Sequence, residues 1–343
     1  VTKEVTETGT NFVNPLGLAL CERLLSEDGS IQLCLACRNL RRAQAACSAL
    51  LTSHPDAQVA LLQLDTSSIS SFLTAAHDVK LWYNRLDYLY LNAGIMPNPH
   101  LDVKAFCKGL FSSHQHVCHG GGLQEMFATN LFGHFLLVRE LLPVLCQANH
   151  TSQVIWTSCS NARCSAFSLK GLQHRTGTEP YNSSKYASDL LSLALNTHLN
   201  MKGLYLSAIC PGFAMTNLTY GILPSFPTLL WNLLMPILWL VCVLSNKFDS
   251  SVPLFIVQFW LFMQKPESLD PWTKYQSNLS PLLCLIASLF PSQMDIDGDM
   301  SEALYDKLLE LEDKVHRKLK EEKKAYTKHR NIHKIYHHWL NNA

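Results

Sequence analysis

Leu86-Asp-Tyr-Leu-Tyr-Leu-Asn-Ala-Gly94 decides the fold. Leu86–Leu91 has the length of one buried strand, and it stops at Asn92-Ala93-Gly94, a turn with little side chain to block a ligand. Runs of similar length recur at Ile31–Ala36, Val59–Leu64, Gln153–Thr157 and Leu204–Ile209. Between them lie Leu18–Leu25, Arg41–Leu51, Ser68–Asn84, Leu123–Leu145 and Tyr181–Met201, all helical in length and period. Apolar strands without clean alternation, separated by helices, specify a parallel sheet covered on both faces. The expected class is therefore α/β, a doubly wound open sheet whose ligands bind beyond the carboxyl ends of its strands.

The composition fits such a core. The chain has 343 residues, 48% of them hydrophobic and 16% charged. A net charge of +1 excludes strong electrostatic steering toward nucleic acid. Twelve cysteines are scattered through the strand-like and helical runs, and a chain of this size needs no covalent staples. They read as reduced and core-filling in a cytosol-facing protein, and the first 30 residues show no secretory signal. Cys34 and Cys37 share a strand, where positions three apart face opposite sides, so no redox pair is expected. His114, His116, Cys118 and His119 crowd a loop at Ser112–Gly122 with no tetrahedral spacing, and no metal is expected.

Tyr181 and Lys185 carry the chemistry. Four residues apart, they share one helix face. A neighbouring ammonium is expected to draw the phenol's pKa down and prime it for proton exchange with a carbonyl or alcohol oxygen. Asp65 ends the third strand, where a carboxylate either accepts from an adenine amine or caps the next helix. Arg38 follows the second strand, where arginine accommodates a ribose 2′-phosphate; this favours NADP(H) over NAD(H).

With Asn92-Ala93-Gly94, Asn130, Ser158 and Tyr181/Lys185 in this order, the chain resembles the short-chain dehydrogenase/reductase family over roughly residues 1–220. Stretches 35–39, 91–99, 132–135, 180–187, 217–224 and 264–269 are similar to the steroid-ketone reductases within it. The resemblance implies a Rossmann-type domain that uses NADPH to reduce a 3-keto or 17-keto group on a sterol or steroid. Tyr181 would give the proton, Lys185 would hold the ribose, and Asn130 would order a water leading to solvent. Pro211, Gly212 and Thr216 would cap the nicotinamide. A serine would bond the carbonyl, either Ser158 or Ser168; at the second position of the family's serine pair this chain has Cys159, whose thiol is a weak donor. The resemblance also implies pairing of two copies through the helices holding Asn130 and Tyr181.

The amino end departs from the pattern. Gly9 and Gly17 fit the glycine turn that cradles a pyrophosphate, but two extra residues lie between them and Pro15 replaces the middle glycine. Proline offers no N–H. A relative that binds a sterol or a partner without turnover is the alternative reading. Glu4 and Glu7 also place carboxylates in what should be a buried strand.

Beyond residue 220 the character changes. Ile222–Leu244 is uncharged and long enough to cross a hydrocarbon core of about 30 Å, although Pro224, Pro227 and Pro236 interrupt it. It reads as a span, an interfacial hairpin or a substrate lid. The division is 1–220 catalytic, 221–300 apolar and membrane-associating, and 301–343 a basic amphipathic helix, in a protein of the endoplasmic reticulum membrane facing the cytosol. On that last helix Leu304, Leu308, Leu311, Val315 and Leu319 mark one stripe. Asp295, Asp297 and Asp299 precede it and suit its dipole rather than a calcium loop.

Overall fold

The computed structural model describes residues 4–9, 15–95, 125–160, 162–173, 179–211, 252–279 and 287–340. Eight strands form one sheet: β1 (Glu4–Gly9), β2 (Gln32–Cys37), β3 (Gln58–Gln63), β4 (Tyr88–Leu91), β5 (Ser152–Thr157), β6 (Leu204–Cys210), β7 (Thr273–Leu279) and β8 (Ala287–Gln293). Their order is β3-β2-β1-β4-β5-β6-β7-β8, and every pair is parallel except β7 with β8. The order reverses direction between β1 and β4. In an open parallel sheet that reversal opens a crevice at the carboxyl edge.

Helices cover both faces: α1 (Pro15–Glu27), α2 (Leu40–Ser53), α3 (Ile69–Trp82), α4 (Gly133–Leu145), α5 (Pro180–Leu199), α6 (Val252–Phe262) and α7 (Gly298–Leu340). The strand pleat sorts the core between them. Leu89 and Leu91 of β4 and Val154 and Trp156 of β5 face Phe72, Phe135, Leu190 and Leu304. Their alternates Tyr88, Tyr90 and Ile155 face Leu20, Leu24, Val257 and Leu261 on the other side.

The expected helix at Leu123–Leu145 is not continuous. A short turn at Glu125–Phe127 leads into a π segment, Ala128–Phe132, before α4 begins. Gly133 donates its N–H to Ala128 O, one residue further back than an α-helix would allow. Gly133 also lies against the Phe72 ring, which a β-carbon would meet at 2.1 Å. Gly133→Ala is expected to destabilise the fold by about 1–3 kcal/mol through overpacking. A urea melt would show it, and an unchanged midpoint would mean that the ring moves aside freely.

α7 lies over α4 and α5. Leu304 and Leu308 are buried in the shared core, with Leu311 and Val315 packed at its rim. Tyr305 stacks on His198 and meets the Phe135 ring edge-on. Glu312 accepts from Arg139 at 3.0 Å, and Ser301 Oγ donates to Leu190 O. Asp297 accepts from the N–H groups of Asp299 and Ser301, so it caps the helix as its position suggested. α7 thus occupies a face of the helix pair through which the resemblance implied a homodimer. Among the described residues no helix is long and apolar enough to cross a membrane; Ile222–Leu244 lies outside them.

Candidate active site

The carboxyl ends of β4 and β5 and the first turns of α5 converge. Asn92 Oδ1 accepts from Thr157 Oγ1 at 3.2 Å, which ties the two strand ends together. Pro180 is the first residue of α5, a position where its missing N–H costs nothing. Tyr181 and Lys185 then fall one turn apart. Lys185 is 5% exposed; its Nζ donates to Thr157 O at 2.8 Å and lies 5.7 Å from the centre of the Tyr181 ring.

Asn130 sits in the π segment and reaches back to the β4 turn. Its Oδ1 accepts from Ile95 N at 2.8 Å, and its Nδ2 donates to Ile95 O at 2.9 Å and Ser184 Oγ at 3.1 Å. That pair of bonds fixes the amide in both directions. Gly94 lies beside it: a methyl there would stand 3.4 Å from Asn130 Oδ1 and 3.5 Å from Lys185 Nζ. Gly94, Asn130 and Lys185 therefore border one small polar space.

One expectation is corrected. The phenol of Tyr181 is not drawn down. Burial pushes it above its ordinary value, and the Cys159 and Cys210 thiols push it the same way. Burial also lowers the pKa of the Lys185 ammonium, opposed by Cys159, Asp189 and Cys210. Desolvation sets the direction, and Tyr181 holds its proton. Of the two candidate serines, Ser158 is buried, with its Oγ donating to Lys185 O at 3.3 Å. Cys159 is the hydrogen-bonding neighbour of Tyr181. Ser168 is exposed in a separate turn, its carbonyl accepting from Gly171 N.

The cofactor candidates are spread along the same edge. Gly9 ends β1 opposite Cys37, and Gly17 is buried in the first turns of α1. Pro15 is the first residue of that helix, and residues 10–14 lie outside the described ones. Arg38 is exposed just past β2. Asp65 accepts at Oδ1 from Ser67 N and Ser67 Oγ, forming a turn; the cap of α3 is Ser68. Ala93 is buried between Asn92 and Gly94. Pro211 follows β6, and its carbonyl accepts from Ser277 Oγ at 2.6 Å. Gly212, Thr216 and the His-rich loop lie outside the described residues. No cluster of three metal ligands occurs among the described residues.

Three buried groups escaped the sequence reading. His134 sits edge-on to Phe72 and Trp156, and burial with the nearby Lys185 charge lowers its pKa to about 3, so it is neutral. Asp189, one turn after Lys185, and Lys274 of β7 form an ion pair at 2.5 Å. The Lys185/Asp189 spacing was a visible signal for the second; Lys274 belonged to a strand the apolar pattern did not mark.

A β4 turn of Asn-Ala-Gly, an asparagine in a π segment and a Tyr–Lys pair on the next crossing helix define a class of Rossmann-type oxidoreductase folds. The model of the short-chain dehydrogenase family matches residues 10–224, and the chain belongs to that family. Within it, the chain is 50% identical over 324 residues to the 3-keto-steroid reductase/17-beta-hydroxysteroid dehydrogenase 7 of Rattus norvegicus, covering 89% of this chain and 95% of the relative. It is 49% identical to the Homo sapiens protein of the same name, covering 88% and 92%. Among solved structures, the Pseudomonas aeruginosa RhlG/NADP active-site complex is similar at a TM-score of 0.49 and 18% identity, covering 66% of this chain and 79% of that one.

Proposed function

We propose that this chain reduces a 3-keto or 17-keto group on a sterol or steroid, using NADPH, with Tyr181 as proton donor. The observation that carries the reading is half identity along nearly the whole length of a 3-keto-steroid reductase, with Tyr181 and Lys185 at the β5 edge. The site suits a ribose. Lys185 has three N–H donors, one of which goes to Thr157 O, and Gly94 puts no side chain against that Nζ. Arg38, exposed past β2, supports the NADPH reading, because an arginine after the second strand accommodates a 2′-phosphate.

Lys185 and Arg38 would hold NADPH, which would supply the hydride when bound. Tyr181, protonated because its surroundings are dry, gives its proton to the carbonyl oxygen as negative charge builds there. Lys185 steadies the phenolate that results, and Asn130 holds the Ile95 peptide at the floor of the space. The uncharged run Ile222–Leu244 would give a lipid-like ketone its route from the endoplasmic reticulum membrane, with the catalytic part on the cytosolic side.

Titration of the protein with NADPH, followed by ketone-dependent NADPH consumption on a 3-keto and a 17-keto steroid, tests this. Saturable binding and turnover are expected. Arg38→Asp should weaken NADPH by roughly tenfold or more while leaving NADH within about threefold. Absence of saturable binding at millimolar NADPH would defeat the enzymatic reading. The second reading, sterol or partner binding without turnover, draws on Pro15 at the glycine turn and Cys159 at the serine position. Sterol binding without NADPH binding would establish it.

A further inference from the structure

A buried ion pair lies under the site, and nothing in the proposed reaction uses it. Asp189 is 2% exposed and Lys274 6%. Lys274 Nζ contacts Asp189 Oδ2 at 2.5 Å and donates to the backbone carbonyl of Cys159 at 3.0 Å. Asp189 stands one turn beyond Lys185 on α5; burial raises the pKa of its carboxyl, opposed by Lys274, Ser158 and Lys185. Three elements meet here: the end of β5, the catalytic turn of α5, and β7, which pairs with β6 through Lys274 and Ala208.

Burying two ions costs several kcal/mol each, and apolar side chains of similar volume commonly stabilise a core as well or better. What an apolar pair cannot supply is direction. The ammonium aims at one carbonyl, that of the residue whose thiol abuts the Tyr181 phenol.

We propose that Lys274 and Asp189 are positioning residues: Lys274 fixes the Cys159 peptide, Asp189 fixes the helix turn bearing Lys185, and together they hold thiol, phenol and ammonium in one geometry. The pair thus ties the β7 edge of the sheet to the reacting groups. The consequence for turnover rests on the ketone-reductase reading; the consequence for Cys159 does not.

The test uses the full chain. Lys274→Met/Asp189→Leu removes both charges together, so no lone ion is left inside. A thermal midpoint within about 3 °C of the native chain is expected. Ketone kcat should fall by about tenfold or more with KM within about threefold, because small misplacement of reacting groups is felt mainly in turnover. Iodoacetamide, with peptide mass spectrometry as readout, should label Cys159 about threefold faster or more, since its peptide has lost its anchor. Lys274→Gln/Asp189→Asn keeps a donor and an acceptor and should recover about a third or more of kcat. Either a native kcat or native Cys159 labelling in the apolar double variant overturns the proposal. If that variant fails to fold, the Gln/Asn variant decides, and a loss of about tenfold or more in its kcat overturns it. If the native chain reduces no ketone, the functional reading fails, and the labelling ratio alone decides the role of the pair.

Discussion

Tyr181→Phe is expected to abolish ketone reduction, by roughly a thousandfold or more in kcat, while leaving the NADPH Kd within about twofold. General acid catalysis by a positioned group contributes roughly 10²–10⁴-fold. Removing one oxygen from a ring that is fixed by its helix leaves the Lys185–Thr157 bond and the Asn130–Ile95 pair in place. Cofactor affinity should therefore survive. The pH profile follows from the same environment. Burial holds the phenol above its ordinary value, so its proton is present throughout the neutral and mildly alkaline range. kcat/KM for reduction should show no alkaline fall attributable to Tyr181 below about pH 10, and a fall near neutrality that vanishes in Tyr181→Phe would contradict the assignment. Retained turnover in the variant would remove Tyr181 from the acid role.

The parts of the fold that were legible in the sequence are those whose physics is one-dimensional. β2 to β6 are predominantly apolar, and each lies within two residues of its expected span at either end. β1 took its place between β2 and β4 despite Glu4 and Glu7. β7 and β8 were not legible. β7 reads Thr-Lys-Tyr-Gln-Ser-Asn-Leu, a polar string whose second residue, Lys274, is buried against an aspartate 85 positions earlier in the chain and the Cys159 carbonyl. β8 carries Pro291, a residue tolerated at a sheet edge because that edge needs no further donor. The site divides in the same way. Spacing found Tyr181, Lys185 and Asn130, and local order placed Asn92-Ala93-Gly94. Spacing could not say which of Ser158 and Cys159 faces the phenol, because successive residues past a strand end point opposite ways and the choice is made by packing under α5. Nor could it give the sign of the Tyr181 shift, which depends on how much water the surrounding strands exclude.

Cys159→Ser is expected to raise ketone kcat by about tenfold or more. The thiol interacts with the Tyr181 phenol, and on the proposed ketone-reductase reading a hydroxyl in its place would bond the substrate oxygen. Sulfur is a weak donor and a longer one, so as charge develops on that oxygen the native side chain contributes little. Removing a well-placed donor from such a site commonly costs 10²–10³-fold, so restoring one at about a tenth of that worth is a conservative expectation. Tenfold corresponds to about 1.4 kcal/mol of transition-state stabilisation. The gain should appear in kcat more than in KM, because the bond strengthens as the oxygen becomes anionic. Ser158→Ala, by contrast, should leave the substrate-facing chemistry to Cys159 and act through α5, since its hydroxyl bonds Lys185 O. If Cys159→Ser leaves kcat unchanged while Ser158→Ala removes it, the hydroxyl under the helix is the one that reaches the ketone, and the packing of Thr157-Ser158-Cys159 against α5 must rearrange when substrate enters.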